Sequence, residues 1–140
     1  MNVTGMLHGA RLLRYVGFPT SEILGPGASE GDIQMLIARH SEVFIKPIFK
    51  GGVGKKGKSG LIGRAKDLKT ALREKERLYF CEHTYGNTIA KANGVTFEGG
   101  VPARHEVYFS ISDSTIYRAP TITLNHVIYR RGKQNRTSTF

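Results

Sequence analysis

The residues whose types and spacing suit chemistry form one loop. Positions 50 to 60 read Lys50-Gly-Gly-Val-Gly-Lys-Lys-Gly-Lys-Ser-Gly60. Glycines leave backbone N–H groups approachable, and interleaved lysines neutralise oxyanions, so this is the composition of a phosphate-binding loop. The distribution of charge agrees. The 140-residue chain carries 21 Lys and Arg against 11 Asp and Glu, a net +10. Residues 46–69 hold eight basic side chains against Asp67 alone, a net +7, and residues 130–140 add Arg130, Arg131, Lys133 and Arg136. The remaining 105 residues sum to −1. A face built to bind nucleic acid spreads its charge more widely. Here one block reads as a site and the other as a polar, basic end.

Three phosphate-binding geometries fit the loop, and each demands different neighbours. Gly52-Val-Gly54-Lys-Lys-Gly57 spells the G-x-G-x-x-G of dinucleotide folds, which need a helix at that point and an acid closing a second strand near position 75. Glu74 and Glu76 fall in a helical stretch instead. Gly52 to Ser59 also spells a P-loop, which must run straight into a helix with Ser59 on a magnesium ion. Gly60 and Gly63 oppose a helix there by about 1 kcal/mol each relative to alanine. The third geometry is a strand–glycine-loop–strand hairpin folding over a nucleotide, with Lys46 on the incoming strand reaching the phosphates. It needs no helix and tolerates both glycines. Lys46 interrupts the apolar run Val43-Phe-Ile-Lys-Pro-Ile-Phe49, where a lone ammonium costs desolvation unless an anion or acid meets it. A solvated Lys/Gly surface loop is the plain alternative to all three.

The elements that must position these residues are mixed α and β. Leu7, Ala10 and Leu13 with their neighbours predict a short amphipathic helix stopped by Gly17 and Pro19. Ser29 and Asp32 predict a capping box opening a second helix, apolar at Ile33, Leu36 and Ile37, up to His40. Val43 to Phe49 predicts a strand in which Pro47 marks an edge or a bulge. Leu61 to Ala65 returns as a strand, and Asp67 caps a helix to about Arg77. Segments 78–82, 88–98, 106–112 and 115–129 read as strands, with turns at Asn87, Asn93-Gly94 and Asp113-Ser114. A lone Cys81 excludes an internal disulfide framework, and the five histidines show no metal-binding spacing. The longest apolar runs are four residues, far from the about 20 of a membrane span, and no basic-then-apolar leader opens the chain. A soluble, cytoplasmic α/β (α+β) protein without a membrane partner is expected.

Together, Val43-Phe-Ile-Lys-Pro47, Gly51 to Lys58 and Gly60-Leu-Ile-Gly63 resemble the ATP-grasp segment of succinyl-CoA synthetase β-subunits and of ATP-citrate lyase. Those families carry a lysine-ended strand, a glycine-rich basic flap, and a returning strand and helix. Ala10 to Pro19 resembles their first helix, and Glu76-Arg-Leu-Tyr, Val95-Thr-Phe-Glu98 and Glu106-Val-Tyr-Phe-Ser110 resemble their adenine hinge and next strand. The likeness spans about residues 10–126. It implies an incomplete ATP-grasp fold over 1–126, a small α/β lid subdomain with its flap plus the start of a second subdomain, and an off-pattern basic tail over 127–140. It further implies that Lys46 contacts the α-phosphate and adenine edge of ATP, and that Gly52, Gly54 and Lys55 lie in the flap. Glu98 would read the adenine amino group and ribose, and Glu106 the ribose.

By the same resemblance, the complete enzyme is an ATP- and Mg2+-dependent ligase joining CoA to a small carboxylic acid such as citrate or succinate. In the family, the strand matching Thr121 to His126 runs into a Gly-Gly-acidic stretch that holds the metal. Here Val127-Ile-Tyr-Arg-Arg-Gly-Lys follows, and no Asp or Glu occurs after Asp113. The expectation is a fragment, inactive alone, completed by a missing C-terminal half or a partner chain, with no catalytic residue of its own. Two other classes stand beside it. One is a small basic nucleic-acid-binding protein stacking bases on Tyr108, Phe109, Tyr117 and Tyr129, which the uneven charge disfavours. The other is an inactive regulatory or structural remnant.

Overall fold

The structure, a computed structural model, describes residues 6–49, 59–101, 105–114, 119–130, 133–134 and 138–139. Contacts within the chain divide it into two units, Met1–Val101 and Pro102–Phe140.

In the first unit, helix α1 (Met6–Tyr15) ends as its sequence predicts. Gly17 takes φ +81°, its N–H donates to the Arg14 carbonyl at 3.0 Å and the Phe18 N–H to the Leu13 carbonyl at 2.9 Å. This is a Schellman close, which needs a residue free to adopt the left-handed region. After the short strand β1 (Ile23–Leu24), Ser29 and Asp32 cap each other reciprocally and open α2 (Glu30–His40). Those hydrogen bonds, the Ser29 hydroxyl first, hold the Asp32 carboxyl below its ordinary range. Strand β2 (Val43–Phe49) and strand β3 (Gly63–Ala65) flank the glycine–lysine loop. Asp67 caps α3 (Leu68–Tyr79) through the Thr70 N–H at 2.8 Å, and this bond with the one from the Thr70 hydroxyl depresses its carboxyl too. Strands β4 (Glu82–Tyr85) and β5 (Thr88–Gly99) complete the unit, joined by a turn with Gly86 at φ +59°.

All strand pairings are antiparallel, in the order β1-β5-β2-β3, with β4 also on β5. Burial alternates along β2, so Val43, Ile45, Pro47 and Phe49 face inward. They join Val95 and Phe97 of β5, Ile33, Leu36 and Ile37 of α2, and Ala71 and Leu78 of α3 in one core. Sheet and helices therefore form two layers, each contributing its apolar stripe. Gly63 admits a close approach between them: a Cβ there would lie 2.9 Å from the Glu74 Cβ.

Three local expectations are corrected. Leu78 and Tyr79 are the last turn of α3 rather than strand, because Leu78 extends the apolar stripe of Ala71 and is wholly buried. Asn93-Gly94 is no turn. It lies inside β5 where the strand passes from pairing β4 to pairing β2, and Gly94 at φ +152° accommodates the register shift opposite Pro47 to Phe49. Pro47 thus marks a bulge, in an interior strand that β3 accompanies only from Val43 to Ile45. Third, Asp113 and Ser114 are no turn but the last two paired residues of a strand.

The second unit is a hairpin. Strands β6 (His105–Ser114) and β7 (Ala119–Arg130) pair antiparallel from His105 opposite Ile128 to Ser114 opposite Ala119. Short strands β8 (Lys133–Gln134) and β9 (Ser138–Thr139) add to β7.

Candidate functional site

The alternation that buries Val43, Ile45 and Phe49 places Phe44, Lys46 and Ile48 on the opposite face of β2, away from the core against α2 and α3. Antiparallel register sets Thr96 of β5 across from Lys46, and Glu98 across from both Phe44 and Ile23 of β1. Cross-strand partners share a face, and diagonal neighbours lie within reach of long side chains. Glu98 accordingly meets Lys46: the ammonium donates to Glu98 Oε2, while the Ser21 hydroxyl donates to Oε1 at 2.7 Å. Lys46 is 24% exposed and Glu98 19%. The desolvation that the sequence predicts for Lys46 is answered by an acid of its own sheet, fastened at its second oxygen by a residue just before β1.

Other charged groups beside this face are paired too. Arg64 of β3, opposite Phe44, bonds Glu42, and its guanidinium carbon lies 5.9 Å from the Phe44 ring centroid. Thr96, 2% exposed, turns its hydroxyl to the Lys46 carbonyl at 3.4 Å. At the end of the sheet, Glu22 accepts from Arg39 at 2.6 Å and lies 3.1 Å from His40. Gly99 lets the His40 ring lie against the strand: a Cβ there would come within 2.6 Å of it.

The strands flanking the loop meet the hairpin requirement. β2 and β3 pair antiparallel, Val43 with Ala65 and Ile45 with Gly63. Ser59-Gly60 is a turn, with Gly60 at φ +68° and its carbonyl accepting from Arg77 at 3.1 Å. Among the described residues after the loop, 59–67 hold no helix and the next one begins at Leu68, so the helix that either a P-loop or a dinucleotide loop needs directly after Ser59 is not there.

Of the residues singled out in sequence, the structure brings Lys46 and Glu98 together. Gly52, Gly54 and Lys55 lie outside the described residues. Glu106 stands on β6 opposite Val127, in the other unit, and its side chain lies outside what is described, as do those of Tyr108, Phe109, Tyr117 and Tyr129. Sequence reasoning missed Ser21 and Arg64. Only the register of β1 and β3 against the longer strands points to either. Cys81 is half-buried, and burial pushes its thiol up, so it is a poor nucleophile. Among the described residues, no three His, Cys, Asp or Glu side chains converge as a metal site. No described helix is long and apolar enough to cross a membrane. No protein-family model matches this chain, and no curated protein matches it.

Proposed function

We propose that this chain is the nucleotide-binding portion of an ATP-dependent carboxylate–CoA ligase of the citrate or succinate type, and that the sheet face carrying Lys46 and Glu98 receives ATP. One observation carries the reading. A half-buried lysine–glutamate pair stands on the face of the sheet turned from the core, on the strand that leads into the glycine–lysine segment of an antiparallel hairpin.

An ammonium held in an apolar strand has little rotational freedom and sheds little water when it meets a phosphate, so it positions as well as neutralises. Phosphoryl transfer depends mainly on such positioning and charge neutralisation. Lys46 would hold the α-phosphate. Glu98, acceptor-only while ionised, would take N–H or O–H groups of the adenosine. Gly52, Gly54 and Lys55 are assigned to the phosphates by resemblance, and Glu106 to the ribose. Bound Mg2+ would add charge neutralisation on the triphosphate, and no residue of this chain is assigned to hold it.

Titration calorimetry tests the assignment. The wild type is expected to bind ATP weakly, and Lys46→Ala to bind none while keeping its far-ultraviolet circular dichroism. Equal affinity in the two proteins would overturn it. Binding to single-stranded oligonucleotides that collapses steeply with salt, without ATP binding, would favour a nucleic-acid partner instead.

A further inference from the structure

The Lys46 ammonium is not a free anion hook, because a carboxylate already sits on it. An arriving phosphate shares the three N–H donors of that ammonium with Glu98 Oε2 and brings a second negative charge up against the carboxylate. Ordinarily a glutamate so crowded swings into water and the approach costs little. Here the Ser21 hydroxyl holds Oε1 at 2.7 Å, and the Glu98 side chain is only 19% exposed. The carboxylate stays beside the ammonium, its Oε2 competing with the phosphate for the same cation. Among the described residues, the nearest polar groups are engaged elsewhere: Arg64 bonds Glu42, and the Thr96 hydroxyl turns to the Lys46 carbonyl.

We infer that Ser21 and Glu98 act as a counter-ion latch on Lys46, making the site selective for phosphates that carry hydrogen-bond donors over bare polyphosphate. A ligand consisting of phosphate alone weakens the hold of the ammonium on the carboxylate and places its own negative charge beside it. A nucleoside polyphosphate supplies the anion for Lys46 and an amino or hydroxyl donor for the weakened carboxylate, so both partners of the loosened pair are satisfied at once. Discrimination of this kind comes from the penalty on the wrong ligand, as a site that leaves its buried polar groups unpaired rejects an analogue lacking the matching group. Ser21 is a positioning residue in this scheme. It touches no ligand and acts by denying Glu98 the alternative of swinging away.

The inference rests on the reading of this face as a nucleotide site, and its test separates the two. ATP and inorganic tripolyphosphate are titrated into the full chain as wild type, Glu98→Gln and Ser21→Ala. The wild type is expected to prefer ATP by roughly tenfold or more, the worth of a hydrogen bond to a charged group. In Glu98→Gln, tripolyphosphate binding strengthens and ATP binding weakens, so that the preference falls by roughly tenfold. Ser21→Ala moves the ratio the same way by roughly threefold, since the carboxylate remains but gains freedom to rotate out. If Glu98→Gln changes both affinities by the same factor while wild type binds ATP, the latch is overturned and the nucleotide site stands. Should Glu98→Gln fail to fold, an unchanged ratio in Ser21→Ala overturns the latch. A wild type that binds neither ligand overturns the nucleotide reading and the latch with it.

Discussion

The two faces of the first unit's sheet are spelled by alternate residues of the same strands, yet they differ in kind. On one face Val43, Ile45, Val95 and Phe97 are wholly buried among the apolar side chains of α2 and α3. On the other, one residue along, Phe44, Lys46 and Glu98 are only half-buried, and charged groups are matched in pairs with Ser21, Glu42 and Arg64. The first face stabilises by removing apolar surface from water and tolerates other apolar side chains of similar volume. The second gains little stability from its ion pairs, since desolvation offsets most of the attraction. What it gains is fixed geometry. A strand with a period of two thus separates folding from chemistry at single-residue resolution.

Substitutions on the two faces should therefore diverge, and the largest effect belongs to the core. Phe97→Ala is expected to cost about 3–5 kcal/mol in urea unfolding, through lost transfer energy and the cavity left behind. A loss comparable to that of an exposed alanine substitution would break the contrast. Next comes the seam between sheet and helix. Gly63→Val forces a side chain against the Glu74 Cβ, and overpacking of this kind costs about 1–3 kcal/mol on the same assay.

The sharpest comparison is the double variant Lys46→Met with Glu98→Leu. Replacing an ion pair by apolar side chains of similar volume leaves stability within about 1 kcal/mol of wild type or raises it. ATP binding should nevertheless vanish by calorimetry. A double variant that retained ATP binding would remove this face from the argument altogether.

Acid supplies a smaller effect at the helix starts. The carboxyls of Asp32 and Asp67 titrate below the ordinary 3.8, so their contribution to stability is complete above that pH and is lost as pH falls through the depressed values. Helical circular dichroism should accordingly begin to decline below about pH 4 in the wild type, and Asp67→Asn should flatten that decline. The least effect is expected at Cys81, whose raised thiol should alkylate at neutral pH more slowly than a free cysteine.

The local chemistry of the fold was legible. Ser29 and Asp32 announce a helix start, the β-branched run at 43–49 announces a strand, and glycines at 60 and 63 argue against a helix after the loop. Each signal is complete within a few residues. What escaped depends on which neighbour wins. Leu78 to Glu82 is apolar enough for a strand, but Leu78 earns more burial as the last turn of α3. Asn93-Gly94 has turn chemistry, yet the ladder continues through it because β5 has partners on both sides of the shift. Lys46 stood out because a charge in an apolar strand is an anomaly on its own. The resemblance brought it near Glu98 only as a second contact to one ligand; their direct pairing and the part of Ser21 were invisible, because the Ser21–Glu98 hydrogen bond joins residues 77 apart and exists only through strand register.

The order of strands across the sheet also dictates an order in time. β5 lies between β1 and β2 and pairs β4 as well, yet it is the last strand of its unit to leave the ribosome. Until Val95 to Gly99 emerge, β1 has no partner and β2 only the three residues of β3. Helices and the β2–β3 hairpin are local and form quickly, whereas joining β1 to β5 closes a loop of most of the unit. Nascent chains halted before Thr88 should therefore be readily cleaved by protease, and resistance should appear abruptly once Gly99 has cleared the exit tunnel.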